Sequence, residues 1–414
     1  MTGTAMTPDD LASVYRDLHS HPELSFQEHR TAALVAERLA AWGYDVTEGI
    51  GGTGVVGILE NGPGPTALLR ADMDGLPVLE ATGLDYASTQ RGTDPAGNDV
   101  PLMHACGHDV HVTCLLGAAS ALSADRSTWS GRLMVVFQPA EEVGAGARAM
   151  VADGLFERLG RPDVVLGQHV GPFPAGMIGI HPGMAMSASD TLHIRLHGRG
   201  GHGSRPEAAV DPVVMAAATV MRLQTIVSRE IGGTETAVVT IGSLHAGTKE
   251  NIIPDHAELG LNVRTFDPLV RDRTLAAIER IARAEAEASG APRPAEVDHV
   301  DYFPPLLNDD AAVARTRSAF SERFGAERVF DTGPLTGSED VGVLADSAGV
   351  PCAFWFLGGA DPALFAGAST PEQMMAAMRS LPNNHSPHYA PVIEPTLSVG
   401  VEALLTAARE WLPA

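Results

Sequence analysis

Apolar positions recur at helical spacing over residues 11–18 and 29–42, then give way to short apolar runs at 66–70, 132–137 and 164–168. Each run stops at polar residues, and helical segments separate them. That alternation predicts a mixed, mostly parallel sheet with flanking helices, an α/β class domain. Ligands in such folds gather at the carboxyl ends of the strands. The chain places Asp72 and Asp74 after the first run, Glu141 and Glu142 after the second, and His169 after the third.

The rhythm changes further on. Residues 191–197 alternate as a strand, 208–230 read as a long amphipathic helix, and 236–241 and 257–263 read as strands. A helix over 269–288 and a strand over 296–302 complete the order β-α-β-β-α-β, the split motif of a ferredoxin-like domain. The expected organisation is a catalytic domain begun by residues 1–186, an inserted ferredoxin-like α+β domain over 187–303, and a second catalytic part over 304–414. In that last part Ser338-Glu339-Asp340 predicts a helix start capped by Ser338, and 354–357 a buried strand. The stretch Asn383 to Tyr389 is polar and rich in turn formers. Gly49-Ile50-Gly51-Gly52-Thr53-Gly54 satisfies a G-x-G-x-x-G pattern, but a strand-like run follows it where a dinucleotide site needs a helix. It reads as a tight turn. No G-x-S-x-G elbow followed by a helix is present, which removes a serine hydrolase of that type.

Composition narrows the function. With 414 residues and 44% hydrophobic content the chain is long enough for two domains. Its formal charge of -23 repels phosphate backbones and anionic membranes, so neither nucleic acid nor a membrane is an expected partner. Small anionic substrates stay open, because a local metal cluster reverses the potential inside a cleft. No apolar run is long enough to cross a bilayer, and residues 1–10 lack the basic start and apolar core of a secretion signal. Three widely spaced cysteines argue against a disulfide framework, and the expectation is a cytoplasmic protein. Cys114 and Cys352 lie in apolar runs as packing residues; Cys106 alone stands among polar ligands.

That neighbourhood is His104-Ala105-Cys106-Gly107-His108-Asp109-Val110-His111. With His169, His385 and Glu142, Cys106 and His108 supply imidazoles, a carboxylate and a thiolate able to bridge two cations. Five such groups and a bridging water suit two divalent metals about 4 Å apart, with Zn, Mn, Co and Ni all compatible. The alternative in which Asp72 or Asp74 ligates in place of Cys106 stays open. Glu141 and Glu142 cannot both point the same way, so one serves as ligand and the other, Glu141, as general acid/base toward the attacking water. Read in isolation the pair also suits the exposed first turn of a helix. Asp74 is a candidate for orienting His108, and Asp109 either caps the helix beginning there or holds a ligating histidine. The glycine-dense turn Gly198 to Pro206 carries His202, which suits an oxyanion or equally a bland exposed turn. Asn251 and Arg264, at strand ends, suit substrate contact or loop backbone.

Taken together these stretches resemble the M20 metallopeptidase superfamily, in its amidohydrolase branch of hippurate hydrolases, N-acyl-amino-acid amidohydrolases and auxin-conjugate hydrolases. The resemblance rests on His21-Pro22-Glu23-Leu24-Ser25, Arg70-Ala71-Asp72-Met73-Asp74, the Cys106-His108 block, Gln138-Pro139-Ala140-Glu141-Glu142, Gly200-Gly201-His202, Asn251-Ile252-Ile253-Pro254, Gly337-Ser338-Glu339-Asp340 and His385-Ser386-Pro387. Val143 and Gly75 depart from the family's usual glycine and alanine. The resemblance implies a dinuclear site on Cys106, His108, Glu142, His169 and His385, with Glu141 as general acid/base. It further implies His202 stabilising the tetrahedral intermediate, within its own subunit or across a dimer, and substrate contacts at Asn251 and Arg264. The implied activity is metal-dependent hydrolysis of an N-acyl amino acid by a homodimer or higher homo-oligomer. A dipeptidase is the near alternative and a noncatalytic metal-binding scaffold the distant one.

Overall fold

The computed structural model describes residues 4–368 and 370–414. The chain forms two compact units, one of Met1–Ala185, Leu307–Gly333 and Asp340–Ala414, the other of Met186–Leu306 and Pro334–Glu339.

The larger unit is built on an eight-stranded sheet in the order Asp45–Ile50, Gly54–Asn61, Gly131–Gln138, Thr66–Asp72, Val164–Pro174, Cys352–Ala360, Ile178–Ile180, Val329–Phe330. The four strands from Gly131–Gln138 to Cys352–Ala360 are mutually parallel, as their nearly unbroken apolar runs require of strands covered on both faces. Asp45–Ile50 and Gly54–Asn61 pair antiparallel, so Gly51 to Thr53 is a tight turn between strands. Helix His108–Ala124 has no polar stripe and is buried along almost its whole length. It packs on helix Thr396–Trp411 through two glycines: a Cβ at Gly117 would stand 2.6 Å from Val401 Cγ2, and one at Gly400 2.5 Å from Cys114 Sγ. Tyr15, Leu18, Val35, Leu39 and Trp355 belong to the core around it. Cys352 opens a strand buried at every position but its last, as its apolar context predicted.

The smaller unit has four antiparallel strands in the order Ala237–Ala246, His256–Thr265, Ala188–His197, Glu296–Phe303, with helices Pro212–Thr225 and Pro268–Ala288. This is the ferredoxin-like arrangement. Its first helix starts later than the pattern suggested, at Pro212, because Asp211 caps it by accepting from the Val213 N–H at 2.9 Å. The segment Pro334–Glu339 joins this unit because Leu335 and Gly337 carbonyls accept the Ser187 N–H.

One element differs outright. The helix expected at Ser338 begins at Gly342, and no side chain caps it. The Ser338 hydroxyl instead donates to the Ser187 carbonyl and accepts from Arg264, while the Asp340 carboxylate accepts from Gln138 and from the Ala147 N–H.

Candidate metal centre

The left-handed Gly107 starts helix His108–Ala124 and turns Cys106 and His108 toward one side. A Cβ at Gly107 would meet Val170 at 2.4 Å, so only glycine fits. Cys106 Sγ lies 3.4 Å from His169 Nε2. His169 does not end its strand, as the polar boundary suggested, but sits within Val164–Pro174 opposite Phe356. Its Nδ1 donates to the Val170 carbonyl at 2.9 Å, which leaves the Nε2 lone pair toward Cys106.

His108 repeats this logic. Its Nδ1 is 3.2 Å from Asp74 Oδ1, which frees Nε2 to face Glu142 Oε1 at 3.8 Å and Glu141 Oε2 at 3.9 Å. Both His108 Nε2 and Glu142 Oε1 are buried without a hydrogen-bond partner, a costly state unless something else fills the gap. Glu142 Oε2 lies 3.3 Å from His385 Nε2. His385, itself left-handed at φ 71°, is anchored by its N–H to the Ala105 carbonyl. Among the described residues five groups have ligand atoms within 4.8 Å of one another. Two contain Cys106, with His108 and His169 and with Glu142 and His385; the others are Asp72 with His108 and His111, His108 with Glu141 and Glu142, and Glu141 with Glu339 and Asp340.

The charges fit a cation. Burial, aided by Glu142, pushes the Cys106 thiol well up, and burial likewise raises Glu142. Burial opposes an imidazolium at His108, but Asp72 and Asp74 outweigh it and raise this group. A divalent ion reverses the penalty on thiolate and carboxylate, so this donor set suits divalent metals.

Asp74 does more than orient one histidine. Its two oxygens also accept the N–H groups of Glu141 and Glu142 and the Ser25 hydroxyl. Asp72 is likewise occupied, by Arg70 at 2.7 Å and His111 at 2.5 Å, which disfavours it as a ligand in place of Cys106. His111 Nε2 accepts the Val170 N–H at 2.8 Å, so its proton sits on Nδ1 toward Asp72. Asp109 neither caps the helix nor holds a member of the cluster; its carboxylate pairs with His19 at 2.6 Å.

Sequence reasoning missed several supports. Arg70 is fully buried and donates to Gln138, Asp72 and Asp340. An arginine inside an apolar parallel strand was itself the available signal, since a buried charge must be paired. Asn384, next to His385, donates to the carbonyls of Cys106 and Val170. Glu28 accepts the Ala140 N–H.

The remaining predicted residues belong to the smaller unit. His202 lies in a two-strand ribbon where Gly201 and His202 pair with Ile253 and Ile252, and Asn251 sits in the turn just before Ile252; His202 and Asn251 are both exposed. His202 Nδ1 accepts the Ser204 N–H, which places its proton on the outward Nε2. Arg264 is half-buried, held by Asn262, the Thr336 carbonyl and Ser338.

A model of peptidase family M20/M25/M40 matches residues 68–407. The chain belongs to this family. Among its M20 relatives, hippurate hydrolase of Campylobacter jejuni is 40% identical over 84% of this chain and 88% of its own. N-acetyl-L-cysteine deacetylase of Bacillus subtilis is 36% identical over 84% and 80%. The solved YXEP protein of Bacillus subtilis, described as a dinuclear metal binding peptidase of the M20 family, superposes with a TM-score of 0.75 at 29% identity, covering 98% of each chain. The protein is thus a hydrolytic enzyme on amides, in the amidohydrolase branch of M20. Among the described residues no helix is long and apolar enough to cross a membrane.

Proposed function

We propose that this M20 hydrolase cleaves N-acyl amino acids, with acetyl, benzoyl or similar acyl groups, by means of two divalent cations held on Cys106, His108, Glu142, His169 and His385. The observation that carries the proposal is that one thiol, Cys106, belongs to two donor groups that together comprise these five residues. These residues would hold the two cations, and a thiolate common to the two triads would serve both. The relatives named for hippurate and N-acetyl-L-cysteine support an acyl amino acid as substrate, and the two thermostable carboxypeptidases of Saccharolobus solfataricus, each 36% identical, keep a peptide as the second reading.

When bound, the cations would polarise the scissile carbonyl and activate a water near neutral pH. Glu141 stands beside His108 and Glu142, takes the proton of the attacking water and delivers it to the departing nitrogen. Asp74 keeps His108 in the tautomer that ligates and fixes the backbone of both glutamates. His202, within its own subunit or across a dimer, would donate its Nε2 proton to the oxyanion of the tetrahedral intermediate, and Asn251 and Arg264 would contact the substrate.

The proposal extends to a homodimer formed through the smaller unit. Helix Pro212–Thr225 buries Met215, Ala216, Thr219 and Leu223 but exposes Val213, Val214 and Met221, and strand Ala237–Ala246 is an edge strand exposing Val238 and Leu244.

The test is hydrolysis of matched acetyl, benzoyl and aminoacyl substrates after metals are stripped and refilled. Acyl amino acids should be cleaved only after refilling. Preference for aminoacyl substrates would turn the assignment to a dipeptidase. E141Q should keep its metal and fold while losing at least about a hundredfold in turnover; wild-type turnover with full metal would remove Glu141 from the chemistry.

A further inference from the structure

Among the described residues Phe26, Ala140 and His385 alone hold a left-handed backbone without being glycine, at φ 62°, 50° and 71°. Such a conformation persists only where its surroundings enforce it. Two of the three are tied to a single oxygen. Glu28 Oε1 accepts the Phe26 N–H at 3.0 Å and the Ala140 N–H at 2.8 Å, while Glu28 Oε2 accepts the Thr53 hydroxyl. The Glu28 side chain is fully buried, and Ala140 immediately precedes Glu141 and Glu142.

Thr53 belongs to the glycine turn whose pattern imitated a nucleotide loop. Its glycines allow close packing instead: a Cβ at Gly51 would lie 2.5 Å from the Met150 nitrogen, and one at Gly54 3.2 Å from Pro139 Cδ. The Gly51 N–H also donates to Asp153 at 3.1 Å. The turn therefore lies against the chain both before and after the two glutamates.

We propose that Glu28, backed by Thr53 and the turn Gly49 to Gly54, is a positioning residue that holds Ala140 left-handed and thereby aims Glu141 and Glu142. This rests on Glu141 as general acid/base and Glu142 as ligand. Without the Glu28 acceptor Ala140 relaxes toward negative φ and pulls the peptide that carries Glu141 against the Asp74 contacts that hold the Glu141 and Glu142 N–H groups, which shifts both carboxylates. A misplacement of about 1 Å at a reacting group costs up to about a hundredfold in rate.

The experiment measures kcat, KM, bound metal and thermal midpoint for E28A, E28Q and T53V, each alone and with A140G, and for E141Q. Glycine adopts this φ without strain, so A140G frees the turn from its brace. A residue that only stabilised the fold would gain no turnover from that change. E28A should lose about thirtyfold in kcat at equal metal occupancy with KM held within about threefold. E28Q keeps an acceptor oxygen and should stay within about threefold of the parent. Addition of A140G should recover most of the loss in E28A. Wild-type kcat in E28A, or a loss that A140G does not relieve, overturns the proposal. If E28A does not fold, T53V decides in the same way: a kcat loss relieved by A140G supports the brace, and no loss or an unrelieved one overturns it. E141Q separates the two claims, since an inactive E141Q beside a fully active E28A removes only the brace, whereas an active E141Q removes the acid/base role itself.

Discussion

Cys106 tests the proposed metal pair most directly, because its sulfur is common to the two donor groups proposed to hold the cations. C106A should lower affinity for the second cation by more than about a hundredfold, beyond the range for residues that only orient ligands. Metal content after dialysis against chelator measures this; two ions retained at wild-type affinity would exclude a bridging thiolate. The ligand types and their crowding were legible in the sequence, since thiol, imidazole and carboxylate groups stand together in residues 104–111 and again at 141–142. Their supports were not. The Arg70 to Asp340 pair spans 270 residues, and the Glu28 to Ala140 bond 112. Nor does alanine advertise a left-handed backbone in the way glycine does.

At the scale of elements, helix Pro8–His19 shows how local and distant signals combine. Thr7 and Asp10 form a capping box at its start, and Pro8 occupies the first turn, all readable locally. Its last residue is fixed by distant partners: His19 docks between Asp109 at 2.6 Å and Glu80 at 3.0 Å. Burial alone would discharge this imidazole, but hydrogen bonds to Asp109 and Glu80 outweigh it and raise the group to about 10. A folded-state value raised above the ordinary one of about 6.5 contributes stability that is whole below about 6.5 and lost as pH rises through about 10. Urea unfolding from pH 6 to pH 10 should therefore show a decline that H19Q flattens. Parallel curves for the two proteins would count against the ion pair. The helix predicted at Ser338 fails for a related reason: a cap signal is local, and here the hydroxyl is taken by the Ser187 carbonyl.

For the whole molecule the proposed dimer makes a definite expectation. Sedimentation should give a dimer, and M221D with V214D, which charge the exposed face of helix Pro212–Thr225, should give a monomer while the fold is retained. Unchanged mass in that variant would place the interface elsewhere. The two-unit chain, its sheet classes and the candidate ligand residues came from periodicity, turn chemistry and residue type, because these depend on neighbours a few positions away. Tertiary structure alone decided which Asp72 and Asp74 oxygens are already occupied, which imidazole nitrogens are left with free lone pairs, and that Cys106 stands between two donor sets. Those outcomes depend on which distant groups share a buried volume, where each polar atom must find a partner, and no short-range pattern encodes that choice.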